Sequence, residues 1–519
     1  MSSKSDLGDS EKNPNVDSQT VLQARDVDVA AMVVTDVNVP ETLTDDVAKR
    51  IRNKVDKHLL PLMCLTFVIM LSDQVVVAQS AILGIFPGAR LNQDQFNWLA
   101  TVLYISVMAF EYPQNLALQR FPVAKWISLN IFIWSIALCC HAAARSFGAL
   151  VACRMVLGAC EAVIVPGFMI ITSMFYTRKE HTQRVGYWYL TGVFGASCMG
   201  FVAFGLLHVT GTRLMQWQWM IIIMGIVSFL YAIVFLIFFP DSPINARFLN
   251  PEERALAVQR IKVNQAGLEN KKWKREQFIE ALLDPKVWIM AAFQFISHVP
   301  ISMNFQKQII VSQLGFNAIQ TTLLSCADGV VAVLGILIGV YLASIPSIGN
   351  GYAGIIMSVP PLVGSILVNV LPSKHKIALL FMYWLSYTVS SPYTVFFGWV
   401  ISLSAGHTKR ITMNTIILVS GYAGLAVGPL MWRKKYQPRN RVPWIVVSVC
   451  VVTSAILLFI LRTMLDRENK RRDREPRSTQ YDEVFVEKVA PDGSVAIHRV
   501  DKAFLDLTDV ENRDFRYIL

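Results

Sequence analysis

Twelve runs of about 20 mostly apolar residues dominate the sequence and restrict its fold more than any other feature. A helix needs about 20 apolar residues to cross the hydrocarbon core of a bilayer, and only helices and closed barrels satisfy their backbone groups there. The runs lie near residues 59–83, 97–117, 125–143, 149–174, 186–207, 217–239, 287–306, 320–343, 352–372, 376–402, 411–432 and 443–463. The sequence therefore predicts an all-α membrane protein with twelve transmembrane helices. Soluble enzymes, nucleic-acid-binding proteins and β-barrels are excluded.

Composition supports this prediction over the soluble domains that a length of 519 residues would suggest. Apolar residues make up 54% of the chain and charged residues 16%, against about 45–50% and about 25% in soluble proteins. The runs divide six and six, which predicts a duplicated six-helix unit, although no sequence repeat between the halves is visible. The predicted parts are a disordered tail (1–58), a six-helix bundle (59–239), a central loop with one or two surface helices (240–286), a second bundle (287–463) and a second tail (464–519).

The net charge of +11 is explained by topology rather than by a nucleic-acid partner. With the first tail placed inside, the inner segments hold 28 Lys and Arg residues and the outer ones 11. Cytoplasmic loops collect such residues, so both tails are predicted to be cytoplasmic. The basic cluster at 433–441 departs from this trend. No apolar run precedes Leu59, so the first span itself is expected to direct insertion.

Eight cysteines lie in apolar runs without a CxxC spacing. They are expected to be packing residues, and no metal, disulfide framework or cofactor is predicted.

Six charged residues fall inside the apolar runs, where an ionisable group costs about 2.5–3.5 kcal/mol and usually serves a function. They are Asp73, Glu111, Arg154, Glu161, Lys307 and Asp328. Arg154 and Glu161 are seven residues apart, so they share a helix face but lie about 10.5 Å apart along the axis. Each is therefore expected to have its partner on another helix.

These residues have both functional and structural interpretations. Arg154 can hold an anion through two hydrogen bonds, or it can form a salt bridge that locks the fourth span. A desolvated Glu161 can carry a proton, with Asp328 the second candidate, or it can be a packing contact. Lys307 either faces the cavity as a second cation or snorkels to the surface. His298 is a weaker candidate for substrate binding or proton relay.

Other features indicate a bundle that moves. Asp73 and Glu111 lie nearer span ends and are predicted to act as conformational locks. Small residues at Gly192, Ala196 and Gly200 allow another backbone to approach closely. Prolines, which free carbonyl groups and permit bending, occur within or at the ends of spans at Pro166, Pro300, Pro360, Pro361, Pro392 and Pro429.

Several segments resemble one family. They are FEYPQNLALQRFP (110–122), RMVLGACEAVIVPGFMIITSMFY (154–176), FPDSPINARFLNPEER (239–254), AGHTKR (405–410), RENKRRD (467–473) and FLDLTDVENRDFRYIL (504–519). Together they are similar to fungal members of the major facilitator superfamily, and more narrowly to its anion:cation symporter, allantoate permease family. The resemblance covers about residues 49–519.

The resemblance implies two six-helix bundles that rock about a central site and take up small organic anions with protons. It places Arg154, Gly158, Glu161 and Pro166 on the family's fourth-span pattern. It also places His407, Thr408, Lys409 and Arg410 on the inner loop between spans ten and eleven, where Lys409 and Arg410 are expected to act in gating. The sequence departs from the family at Gln74, Ala327, Leu403 and Leu425, and Asp328 matches no acid of the family, which leaves the substrate open.

The first hypothesis is a proton-coupled importer of a ureide, vitamin, sulfonate or other carboxylate, monomeric and in the plasma membrane. The alternative is a nutrient sensor of the same fold that binds substrate without carrying it. Such sensors usually have an enlarged signalling tail, and the tails here are ordinary in length. No nucleophile–base pair or metal-ligand set supports a membrane enzyme.

Overall fold

The computed structural model describes residues 44–265, 274–400, 402–475, 484–489, 495–500 and 507–519 of the chain. Most of these residues are helical. The α-helices are α1 (Asp45–Ser80), α2 (Ile85–Gly88), α3 (Gln93–Arg120), α4 (Val123–Ala143), α5 (Phe147–Glu161), α6 (Ile164–Phe175), α7 (Arg178–Leu207), α8 (Gln216–Phe238), α9 (Pro251–Gln265), α10 (Arg275–Leu283), α11 (Pro285–His298), α12 (Met303–Gln313), α13 (Ala318–Ser344), α14 (Gly349–Met357), α15 (Val359–Val370), α16 (Lys376–Tyr387), α17 (Ser390–Val400), α18 (His407–Val427) and α19 (Arg441–Arg474). Strands β1 (Val484–Val489) and β2 (Val495–Val500) pair antiparallel in the second tail.

These helices form twelve membrane spans, and each apolar run of the sequence overlaps one of them. The spans are, in order, α1, α3, α4, α5 with α6, α7, α8, α11 with α12, α13, α14 with α15, α16 with α17, α18 and α19. In the described part of the chain, nine helical segments are long and apolar enough to cross a bilayer. The other three spans are the second, whose helix includes Glu111, and the seventh and tenth, each of which is broken. We call the end of the molecule where spans one and twelve meet the tails the inner end.

Proline explains where several spans break. A proline has no N–H, so the carbonyl group four residues earlier loses its helical hydrogen bond. The fourth span breaks at Ala162, four residues before Pro166, and the tenth breaks at Thr388, four residues before Pro392. The ninth span breaks at Ser358, just before Pro360 and Pro361. The predicted proline bends are therefore present.

The two halves pack in the same pattern. In the first half, span one packs on five, two on four and three on six, and in the second half seven packs on eleven, eight on ten and nine on twelve. Spans two and eight also begin with the same capping box, Asn92 with Gln95 and Asn317 with Gln320. These boxes satisfy the free N–H groups of a helix start. The fold is thus two six-helix bundles.

The tails are more structured than the sequence predicts, whereas the central loop carries the two surface helices that it does predict. Residues 45–58, which the sequence places in the disordered tail, are helical, and Lys54 pairs with Glu253 at 2.5 Å and Arg184 with Asp56 at 2.7 Å. The predicted disorder of residues 1–43 lies outside the described residues. The twelfth span continues as a helix to Arg474, past the predicted end at residue 463.

The central loop is shared between the bundles. Helix α9 packs on the first and fourth spans, and Arg260 of this helix pairs with Glu180 at the start of the fifth span. Helix α10 packs on the eleventh span, where the backbone N–H of Thr408 donates to Gln277 at 3.0 Å. Each bundle therefore carries its own loop helix at the inner end.

Candidate functional site

Arg154 is the centre of a charged cluster inside the first bundle. It lies seven residues from the outer end of α5, about 10.5 Å into the span, and is 1% exposed. Its Nε and Nη2 atoms are buried without a hydrogen-bond partner among the described residues. A buried charge that lacks hydrogen bonds is costly, so this guanidinium is suited to hold a ligand that supplies them.

Two buried carboxylates flank Arg154 and come from different spans. Asp73 of the first span and Glu161 of the fourth both lie within electrostatic reach of the guanidinium. Asp73 accepts a hydrogen bond from the Trp134 indole at 3.0 Å, and Glu161 accepts one from the Gln74 amide at 2.9 Å. Each carboxylate keeps one buried oxygen without a partner. The cluster therefore combines one cation with two carboxylates, and none of the three groups has all its hydrogen bonds satisfied.

Asp73, which is predicted to act as a conformational lock, belongs to this charged cluster. Its hydrogen bond goes to Trp134 of the same bundle, and its charge acts on Arg154 and Glu161. Asp73 lies seven residues from the outer end of α1 and Arg154 seven residues from the outer end of α5, so the two side chains start at a similar depth. We therefore place Asp73 in the site itself.

The structure also brings residues to the cluster that the sequence does not single out. His141 of the third span is fully buried, both its ring nitrogens lack hydrogen-bond partners, and it lies within electrostatic reach of Arg154. Tyr104 of the second span and Tyr422 of the eleventh lie within reach of Glu161. Tyrosines in apolar spans resemble ordinary packing residues, so only the three-dimensional arrangement identifies them. Because Tyr422 belongs to the second bundle, groups from both bundles surround the cluster.

The second bundle offers His298 as a neutral polar group at mid-span. His298 Nδ1 lies 2.8 Å from the carbonyl oxygen of Gln294, so this nitrogen carries the proton and leaves Nε2 as an acceptor. The ring packs perpendicular to Tyr393 with centroids 4.5 Å apart. The arrangement is compatible with the predicted part in substrate binding.

Lys307 and Asp328 form a separate pair in the outer half of the second bundle. Lys307 is 4% exposed, so it does not snorkel to the surface, and it lies within electrostatic reach of Asp328. Asp328 accepts hydrogen bonds from Trp384 at 3.0 Å and from Tyr383 at 3.4 Å. With a counter-charge and two donors, Asp328 is better satisfied than Glu161 and is the weaker proton-carrying candidate.

The remaining candidates lie toward the inner end. Glu111 is half-buried, one of its oxygens is buried without a hydrogen-bond partner, and its charge reaches Tyr422 of the other bundle. Lys409 is fully buried and forms ion pairs with Glu280, Asp284 and Asp509 at 2.7–2.9 Å. Arg410 is exposed. The ion pairs of Lys409 connect the second bundle with its loop helix and with the second tail.

At the outer ends, neutral side chains join the two bundles. Asn97 donates to the Trp432 carbonyl at 2.7 Å and accepts from Gln306 at 2.6 Å. Gln308 donates to Gln79 at 2.5 Å, and Thr101 donates to the carbonyl of Ala426 at 2.7 Å. At the inner ends, by contrast, the ion pairs described above lie within each half. The structure is therefore closed at the outer end.

We call the hydrogen bonds that Asn97, Gln306, Gln308 and Gln79 form at the outer end the amide gate. Breaking this gate is expected to favour the outward-open state. Asn97→Leu leaves buried partners on both bundles unpaired, at about 1–3 kcal/mol for each group, which corresponds to a population shift of about tenfold or more. Double electron–electron resonance between spin labels on Asp94→Cys and Arg433→Cys, in a cysteine-free background, would then show a longer distance between the outer ends of the two bundles. The exposed Asn53→Leu is the matched control. An unchanged distance distribution in Asn97→Leu would contradict the gate.

The same architecture occurs in solved transporters. The chain superimposes on a bacterial homologue of the human lysosomal transporter Spinster with a TM-score of 0.60 at 16% identity, over 82% of this chain and 99% of that one. It superimposes on a D-xylose–proton symporter with a TM-score of 0.60 at 12% identity, over 77% and 96% of the two chains. These likenesses show the fold.

Sequence comparison finds relatives that match this chain over most of its length and most of theirs. The family model described as Major Facilitator Superfamily matches residues 62–429. The Thiamine pathway transporter of Saccharomyces cerevisiae is 30% identical over 91% of this chain and 87% of its own length. The Allantoate permease of the same yeast is 28% identical over 92% and 88%, and its High affinity cysteine transporter is 27% identical over 95% and 95%. The expected resemblance to fungal transporters is confirmed, and the chain belongs to the major facilitator superfamily of membrane transporters.

Proposed function

We propose that this protein imports a small organic anion together with protons, by alternating access about the Arg154 cluster. The single observation that carries the proposal is the buried guanidinium of Arg154, unpartnered at Nε and Nη2 and flanked by Asp73 and Glu161. A planar guanidinium binds a carboxylate or sulfonate through two parallel hydrogen bonds. Two relatives are named for allantoate and cysteine, which are carboxylate-bearing compounds.

The charges of the cluster couple anion binding to protonation. With Asp73 and Glu161 both ionised, the cluster has a net negative charge and repels an anion. Protonation of Glu161 removes one negative charge and frees Arg154 to pair with the substrate. Deprotonation at the inner side restores the competition and expels the anion. The substrate and the proton therefore favour each other's binding.

Coupling to protons also solves an energetic problem. A monovalent anion that enters alone moves against an inside-negative potential, at about 2.3 kcal/mol per 100 mV. One co-entering proton cancels this cost, and two make the step favourable. The two flanking carboxylates provide two sites where protons can be carried.

The second bundle completes the site in this mechanism. His298 Nε2 and Tyr422 are neutral polar groups of the second bundle, so they can contact the uncharged part of the substrate. Opening the amide gate around Asn97 while the inner ends close would carry the same site from one side of the membrane to the other.

An uptake panel tests the proposal. Cells from which the endogenous gene has been deleted, and which express the protein from an introduced gene, would be given radiolabelled substrates. The panel is allantoate, cysteine, nicotinate, pantothenate and a sulfonate, with a neutral sugar as control. We expect at least one anion to accumulate and the sugar to be excluded. A compound that binds without entering would favour the sensor, and accumulation of the sugar alone would contradict an anion site.

Both tails are expected to be cytoplasmic in a plasma-membrane protein, because Lys and Arg are concentrated 28 to 11 on the tail side. Epitope tags at each end would then bind antibody only after the cells are permeabilised. Labelling of either tag on intact cells would overturn this topology.

A further inference from the structure

Residues 507–519, which we call the strap, dock on the inner end of the second bundle. The Trp399 indole at the end of the tenth span donates to the carbonyl of Ile518 at 2.7 Å. The backbone N–H of Asn350, in the first turn of the ninth span, donates to the carbonyl of Leu519 at 2.9 Å. Asn469 of the twelfth span bonds both the N–H and the carbonyl of Tyr517, at 2.9 and 2.8 Å. The strap thus touches the inner ends of several spans at once.

Asp509 is the deepest group of the strap. Its side chain is fully buried, forms ion pairs with Lys286 of the seventh span and Lys409 of the eleventh, and accepts a hydrogen bond from Tyr517 at 2.5 Å. Burial alone disfavours the charged carboxylate, but the two lysines outweigh it and lower the pKa of Asp509 to about 2. Asp509 therefore stays ionised at neutral pH and neutralises two buried cations.

Aromatic contacts reinforce this ionic contact. Lys286 Nζ and the Arg472 guanidinium lie over the Tyr517 ring, 4.8 and 5.0 Å from its centroid. Tyr517 is 6% exposed and belongs to the apolar core at the inner end of the second bundle, with Phe515 packed against it. The strap is consequently part of that core and not a surface appendage.

The neighbouring backbone is shaped to receive the strap. Gly406 adopts a φ of +87°, and a Cβ there would come within 3.0 Å of the Thr508 side chain. The same turn brings Ser404 Oγ to 3.4 Å from Asp509. Gly406 directly precedes the helix that carries Lys409. The loop between spans ten and eleven therefore contacts the strap closely.

We propose that the strap acts as an internal ligand whose docking through Asp509 holds the inner ends of the seventh span and of spans nine to twelve together as one body, and that transport requires it to be docked. The strap follows a connecting stretch, residues 476–506, which keeps it near its site at high effective concentration. Without Asp509, Lys286 and Lys409 lose one of the two acids that they share, and Asp284 alone remains paired with both. The inner end of the moving bundle then loosens.

A cleavage experiment on the full-length protein tests docking directly. A specific protease site is inserted after Ala503, the purified protein is cut, and size-exclusion chromatography with mass spectrometry measures the strap that remains bound. We expect the parent strap to stay bound and the Asp509→Asn strap to be lost at least tenfold more. The matched control is Asp473→Asn, which removes an exposed carboxylate from its pair with Arg516 and should retain the strap.

Hydrogen exchange and uptake provide the functional readouts. Loss of the strap should increase exchange at residues 404–410 and reduce uptake at least tenfold, while Asp473→Asn changes neither. If Asp509→Asn does not fold, Tyr517→Phe is used instead, because it removes only the hydrogen bonds of the hydroxyl group. We expect this variant to lose an intermediate amount of strap. A strap retained equally by every variant, or unchanged exchange and uptake after its release, would overturn the proposal. Retention and exchange need no substrate, so they stand even if anion uptake fails.

Discussion

Replacing Arg154 with lysine is expected to lower anion uptake by about 10- to 100-fold while the protein still reaches the membrane. Lysine keeps the positive charge but loses the planar fork that binds a carboxylate at two points. Hydrogen bonds to charged groups contribute about 1.5–3 kcal/mol, which sets the size of the expected loss. Initial rates of labelled uptake, normalised to surface protein, would measure it.

Arg145→Lys is the matched control, because Arg145 is exposed in the outer loop before the fourth span. We expect it to transport like the parent. If Arg154→Lys also transports like the parent, Arg154 is a structural residue and the anion site lies elsewhere, with Lys307 the next candidate.

Glu161→Gln is expected to abolish accumulation against a gradient while leaving exchange intact. The amide imitates the protonated acid, so the anion can still pair with Arg154, but no proton can be released inside. Net uptake into proteoliposomes with an imposed pH gradient would fall to the level of empty vesicles. Counterflow with unlabelled anion inside would continue.

The exposed Glu252→Gln of helix α9 provides the control and should leave both assays unchanged. Normal accumulation by Glu161→Gln would remove this carboxylate from the coupling step. Asp73 would then be the stronger candidate, because it lies in the same cluster, whereas Asp328 is satisfied by Lys307, Trp384 and Tyr383.

The span pattern could be predicted from the sequence because membrane insertion depends on local apolar length. The same local logic located the breaks, since Pro166 and Pro392 each disturb the helix four residues earlier. The extension of the first helix to Asp45 could not be predicted this way. It depends on ion pairs with Glu253 and Arg184, which are distant in sequence.

The candidate site was only partly predictable for a related reason. Arg154 and Glu161 stand out because charges inside apolar runs are rare, but their partners belong to other spans. The sequence predicts a lock at Asp73 and does not single out Tyr422, because neither the depth of a residue nor the helix that it faces can be predicted from one span. Lys409 was expected to act in gating, and its neutralisation by Asp509 depends on a contact across 100 residues.

Accumulation in proteoliposomes tests the central claim most directly. Purified protein is reconstituted, an inside-negative potential is held constant, and uptake of the anion identified in the panel is followed with and without an inward proton gradient. Proton-coupled import predicts accumulation above equilibrium that increases with the gradient, collapses on adding a protonophore, and is about 10- to 100-fold lower in Arg154→Lys vesicles. Equal uptake with and without the gradient, unaffected by protonophore, would contradict the account.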